Sequence, residues 1–97
     1  MATICVNGEV SVEDAQRVLS ERLGTRYQVI EGKGGSELIV KRNAIAYAPV
    51  RMSWSDGTTT FEVHGSGLVA LRVVNAFGIA RRVTAAVRHG FSERLAA

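Results

Sequence analysis

Cysteine occurs once, at Cys5, so no internal disulfide can staple this chain. Two histidines, His64 and His89, do not complete a structural zinc site, which takes about four ligands. Proline also occurs once, at Pro49, and no Pro/Ser-rich stretch, repeat or low-complexity tract marks a linker. No apolar run reaches the ~18 residues of a membrane span. Residues 1–9 have no basic segment and too short an apolar stretch for a secretory signal, so a cytoplasmic protein is expected. What remains is globular: apolar residues make up 46% and charged residues 22% of 97 positions. One domain over residues 1–97 is expected, with residues 1–10 and 90–97 loosely ordered. A chain of this size buries about 60–70% of its unfolded surface, enough for one core.

The charge is unevenly spread. Twelve basic and nine acidic residues give a net +3 and a pI near 9.6. All of the excess lies after residue 62, where Arg72, Arg81, Arg82, Arg88 and Arg94 stand against Glu93 alone. A concentrated basic face suits phosphate backbones, anionic lipid or an acidic partner. Composition offers the plainer account. Ten of the twelve basic residues are arginine and Ala and Val are abundant, as a GC-rich bacterial genome would produce. Cations late in a helix also complement its dipole, for roughly 0.3–1 kcal/mol each.

The periodicity changes twice along the chain. Val12, Ala15, Leu19 and Leu23 predict a helix over residues 11–23, with Val18 widening the stripe. Ser11 and Asp14 form a capping-box-like start, Gly24 suits a left-handed end, and Glu13 lies four residues before Arg17. Residues 26–31 and 37–42 then alternate around the turn Gly32-Lys33-Gly34-Gly35-Ser36. Val50, Met52 and Trp54 share a face before Asp56-Gly57, a strong hairpin signal, and residues 58–64 have strand composition. The hairpin register follows by counting outward. Ser55 faces Thr58, Trp54 faces Thr59, Met52 faces Phe61, Arg51 faces Glu62 and Val50 faces Val63. A slip of one residue would set apolar against polar throughout. From Gly67 to His89 the period is helical again, and Gly78 either bends this helix or breaks it, one continuous helix being preferred. Thr3 to Val6 has the makings of a short extra strand.

These elements predict an α+β fold: a four-stranded antiparallel β-meander, preceded by one short helix and covered on one face by a long C-terminal helix. The covered face carries Tyr27, Val29, Leu38, Val40, Val50, Met52, Trp54, Phe61 and Val63. The other carries Gln28, Glu37, Lys41, Arg51, Thr60, Glu62 and His64, and is left open unless the first helix takes it.

Few residues suggest chemistry. His64-Gly65-Ser66-Gly67 joins a strand to a helix start, where free N–H groups and a hydroxyl could hold an anion; Ser66 as a simple N-cap explains the same residues. The loop Gly32-Lys33-Gly34-Gly35 leads no helix and reads as a hairpin loop. Arg72, Arg81, Arg82 and Arg88 could contact nucleic acid along the last helix, or form an ordinary solvated face. Tyr47 and Trp54 could stack on bases, but Trp54 shares the core face. Cys5 has no local activating partner, the histidines are not spaced for joint work, and Arg51 is the expected partner of Glu62. No catalytic, metal or cofactor residue is therefore assigned. The expected function is a small non-catalytic binding or interaction module that engages a protein partner or a second copy of itself through a sheet edge or the open sheet face. Nucleic-acid binding through the basic helix is the alternative, and attachment to anionic lipid ranks below both.

Overall fold

The computed structural model describes residues 2–42, 47–64 and 69–95, without the side chains of Lys33 and of residues 69–77. Its elements run β1 (Ala2–Asn7), α1 (Val12–Leu23), β2 (Gln28–Glu31), β3 (Glu37–Lys41), β4 (Tyr47–Ser55), β5 (Thr58–Val63) and α2 (Val69–Gly90), with short 3-10 turns at Lys33–Gly35 and Ser92–Arg94. The fold is α+β, as expected, but among the described residues the sheet has five strands in the order β1-β5-β4-β3-β2, every neighbouring pair antiparallel.

The fifth strand is the N-terminal segment. Loose order was expected over residues 1–10; of these, Ala2–Asn7 form β1, and Ile4, Val6 and Val10 are buried. Ile4 stands opposite Phe61 and Val6 opposite Thr59, so β1 extends the apolar face of the hairpin by one strand. Described residues after α2 also pack on the sheet. Phe91 is buried and stacks on Phe61 at 5.5 Å between ring centroids, and Leu95 bridges back to Val6.

The β4–β5 hairpin has the register that the sequence implies, from Ser55 opposite Thr58 to Val50 opposite Val63. Asp56 and Gly57 both take positive φ, 51° and 75°, the left-handed pair that a two-residue hairpin turn requires. Alternation then sorts every strand: Val29, Leu38, Val40, Ala48, Val50, Met52, Phe61 and Val63 point to the core and are buried. Trp54 departs from its expected place. It sits at the rim, 39% exposed, where its indole N–H donates to the Val10 carbonyl at 2.8 Å.

Both helices cover the same sheet face, where the sequence suggested the long helix alone. β1 and β2 are opposite edges of the sheet, so the chain must cross its width between them, and α1 makes that crossing. It buries Ala15 and Leu19, beside Ile79, Val83, Ala86 and Val87 of α2. Helix α2 runs unbroken through Gly78, which is exposed and faces open space. Gly90 lies hard against Val18, so that a Cβ there would collide with the valine Cγ1 and the end of α2 can approach α1 only as glycine. The start of α1 is capped as expected, the Asp14 N–H donating to Ser11 Oγ at 3.0 Å. Ser11→Ala is expected to cost about 1 kcal/mol, lowering the melting temperature by roughly 4–8 °C for a chain of this size; thermal denaturation followed by circular dichroism checks it. Arg17 pairs with Asp14 at 3.6 Å and Glu21 at 3.8 Å rather than with Glu13, and all three side chains are exposed enough for the pairs to contribute little.

Candidate nucleic-acid interface

The outward face of α2 follows from its period. At 3.6 residues per turn, Ile79, Val83, Ala86 and Val87 fall on one side and are buried. Gly78, Arg81, Arg82, Ala85, Arg88 and His89 fall within an arc of about 120° on the other side, and all six are exposed. This arc holds three arginines and a histidine and no acid. Its centre is small, Gly78 and Ala85, so an extended ligand could lie close to the helix between the longer side chains.

Helix-end electrostatics account for only part of this charge. Arg88 and His89 are in the last turn and complement the negative end of the dipole. Arg81 and Arg82 lie more than two turns before the end, and the dipole effect fades within one turn. Among the described residues neither makes an ion pair.

A second helix adds to the cationic surface. An open cleft of about 370 Å³ runs between the end of α1 and α2, lined by Arg22, Leu23, Tyr27, Arg82, Ala85, Ala86 and His89. Arg22, Arg82 and His89 stand around it, while Leu23, Tyr27 and the two alanines give it an apolar floor. Its lining residues include no acid. Arg22, Tyr27 and His89 are not among the site residues expected from the sequence: His89 shares the helical spacing of the arginines, whereas Arg22 and Tyr27 join only because α1 and α2 share a sheet face. For Arg22 the visible signal was its place in the last turn of α1.

The other expected sites are placed as follows. Arg72 belongs to α2, but its side chain lies outside the described residues. So do Gly65, Ser66 and Gly67, and only His64 of that motif is described. Its backbone N–H donates to the Pro49 carbonyl at 2.9 Å, and its Nε2 is buried with no hydrogen-bond partner among the described residues. Cys5 is exposed on the open face of β1, with Thr60 Oγ1 3.9 Å from its sulfur. Arg51 and Glu62 stand opposite each other in register, but the ion pairs among the described residues are those of Arg17. Among the described residues no cluster of three or more His, Cys, Asp or Glu could hold a metal ion, and no helix is long and apolar enough to cross a membrane.

No family model, curated protein or solved structure matches the chain. The candidate interface rests on the cationic arc itself. An arginine guanidinium can grip a phosphate through two parallel N–H···O bonds, which a lysine cannot do, and the arc carries three arginines and no lysine.

Proposed function

We propose that the chain is a small non-catalytic binding module and that the outward arc of α2 holds the phosphate backbone of nucleic acid. The observation that carries this reading is the position of Arg81 and Arg82, exposed beside Arg88 on an acid-free arc and beyond the reach of the helix dipole. Arg81 and Arg88 are separated along the helix by roughly 10 Å, over which one strand of duplex DNA advances about three phosphates. Arg22 and His89 extend the contact across the cleft toward α1. Contacts of this kind position a protein on a duplex without reading base sequence.

Binding is expected to weaken steeply with salt. Three to four neutralised phosphates correspond to a slope of about −2.7 to −3.6 in log K against log salt. The double variant Arg81→Ala, Arg82→Ala is expected to weaken binding at least about tenfold and to make the slope shallower by roughly 2. Fluorescence anisotropy with a random duplex of about 20 base pairs measures both. The two side chains are exposed, so an unchanged circular dichroism melt is expected alongside. Affinity indifferent to salt, or intact in the double variant, would remove the arc from any role in binding nucleic acid.

A further inference from the structure

The sheet face turned away from both helices carries a pattern that the cationic arc does not explain. Ile30, Ile39 and Pro49 are aligned in register across β2, β3 and β4, an apolar row on the solvent side of three adjoining strands. Ile30 is 40% exposed, and Trp54, the other large apolar side chain as open among the described residues, is held by its hydrogen bond to Val10. The flanking rows differ in character. Two residues along the strands in one direction lie Lys41 on β3 and Tyr47 on β4; two residues in the other direction lie Glu37 on β3 and Arg51 on β4. Glu37 and Lys41 are therefore equidistant from Ile39, and Tyr47 and Arg51 from Pro49.

We propose that two copies of the chain pack through this face about a two-fold axis that runs along the row of Ile30, Ile39 and Pro49. Such an axis lays each strand over its own copy with direction reversed. Ile39 then meets Ile39 of the partner subunit, Lys41 meets Glu37 of the partner subunit, and Tyr47 meets Arg51 of the partner subunit. Each contact away from the axis occurs twice, as in any isologous interface. Sheets packed in this way cross at about 30°, which displaces positions two residues from the pivot by only a few ångströms, well within the reach of Lys, Glu and Arg side chains across the ~10 Å between sheets.

Charge decides both the occupant and the axis. A two-fold axis along β3 would also bury the apolar row, but it would set Lys41 on Lys41 and Glu37 on Glu37, and like charges facing across an interface cost several kcal/mol. Only the axis along the row turns Lys41 and Glu37 toward each other. An unrelated partner would not need opposite charges at equal distances on either side of one isoleucine; the two-fold image of this surface does. The dimer leaves the arginine arcs of its two α2 helices on its outer sides, so it neither requires nor hinders their contact with phosphate.

Sedimentation equilibrium of the full chain up to about 500 µM tests the arrangement, with a dimer expected at a roughly micromolar Kd for so compact a patch. Ile39→Asp is expected to leave a monomer over that range. Lys41→Glu and Glu37→Lys are each expected to weaken the dimer at least about tenfold, and the two together to restore it to within about threefold of the parent. Circular dichroism melts identify any variant that has lost its fold. A parent chain that stays monomeric, a dimer indifferent to these substitutions, or a double variant no tighter than the singles would overturn the proposal.

Discussion

Replacement of Phe61 by alanine is expected to cost about 3–5 kcal/mol, the largest loss of any single substitution considered. Phe61 is fully buried on β5, between Ile4 of β1 and Met52 of β4 in the register, and it carries the stacked ring of Phe91. Truncation opens a cavity under the joint between the sheet and the C-terminal segment. Domains of this size are stable by only about 5–15 kcal/mol in total. The loss therefore corresponds to a fall in melting temperature of roughly 15–30 °C, readable in a single thermal melt. Phe91→Ala is expected to cost less, because Phe91 lies on a terminal segment that can settle into the space. A fall of only a few degrees for Phe61→Ala, or a larger one for Phe91→Ala, would contradict this account of the core.

The second large effect concerns a buried hydroxyl. Thr59 is completely buried on the core face of β5. Its Oγ1 accepts from the Val10 N–H at 2.9 Å and donates to the Gly8 carbonyl at 2.8 Å, so one side chain satisfies two backbone groups of the link between β1 and α1. Thr59→Val keeps the shape and removes both bonds. Each buried backbone group left unpaired costs about 1–3 kcal/mol, so a loss of roughly 2–4 kcal/mol is expected. Thr59→Ser keeps both bonds and deletes one methyl group, for about 1 kcal/mol. Urea denaturation should thus rank serine above valine at this buried position, the reverse of the order that hydrophobicity alone predicts. The reverse ranking would show that packing, not these two bonds, decides the site.

Local signals in the sequence carried most of the fold. The β4–β5 register was legible because Asp56-Gly57 fixes the turn, and alternation then permits only one pairing. The capped start of α1 was legible for the same reason, Ser11 and Asp14 being three residues apart. What could not be read was set by contacts between distant segments. Ile4 and Val6 alternate as a strand should, but four apolar-polar positions do not name a partner, and the partner is β5, at the far side of the helix and three other strands in sequence. The side of the sheet taken by α1 follows from that pairing, because only a β1 at the opposite edge from β2 sends the helix across the width of the sheet. The candidate site divides in the same way. Arg81, Arg82 and Arg88, and His89 with them, could be found by helical spacing, whereas Arg22 and Tyr27 join them only once α1 and α2 lie side by side.

The pairing of β1 with β5 also orders events in time. Ala2 finds its neighbour in Val63 and Asn7 in Thr58, so the first strand made must wait for the last. Closing a loop of this length costs entropy before any contact repays it, which slows folding relative to chains whose neighbours lie close in sequence. At a synthesis rate of about 5–20 residues per second, β1 passes several seconds without its partner. During that interval α1 and the β2–β3 hairpin can form from residues already made, while Ile4 and Val6 have no sheet to complete. A nascent chain that stops before Thr58 leaves the first strand as an unpaired apolar segment, so the commitment of this fold falls at the synthesis of β5.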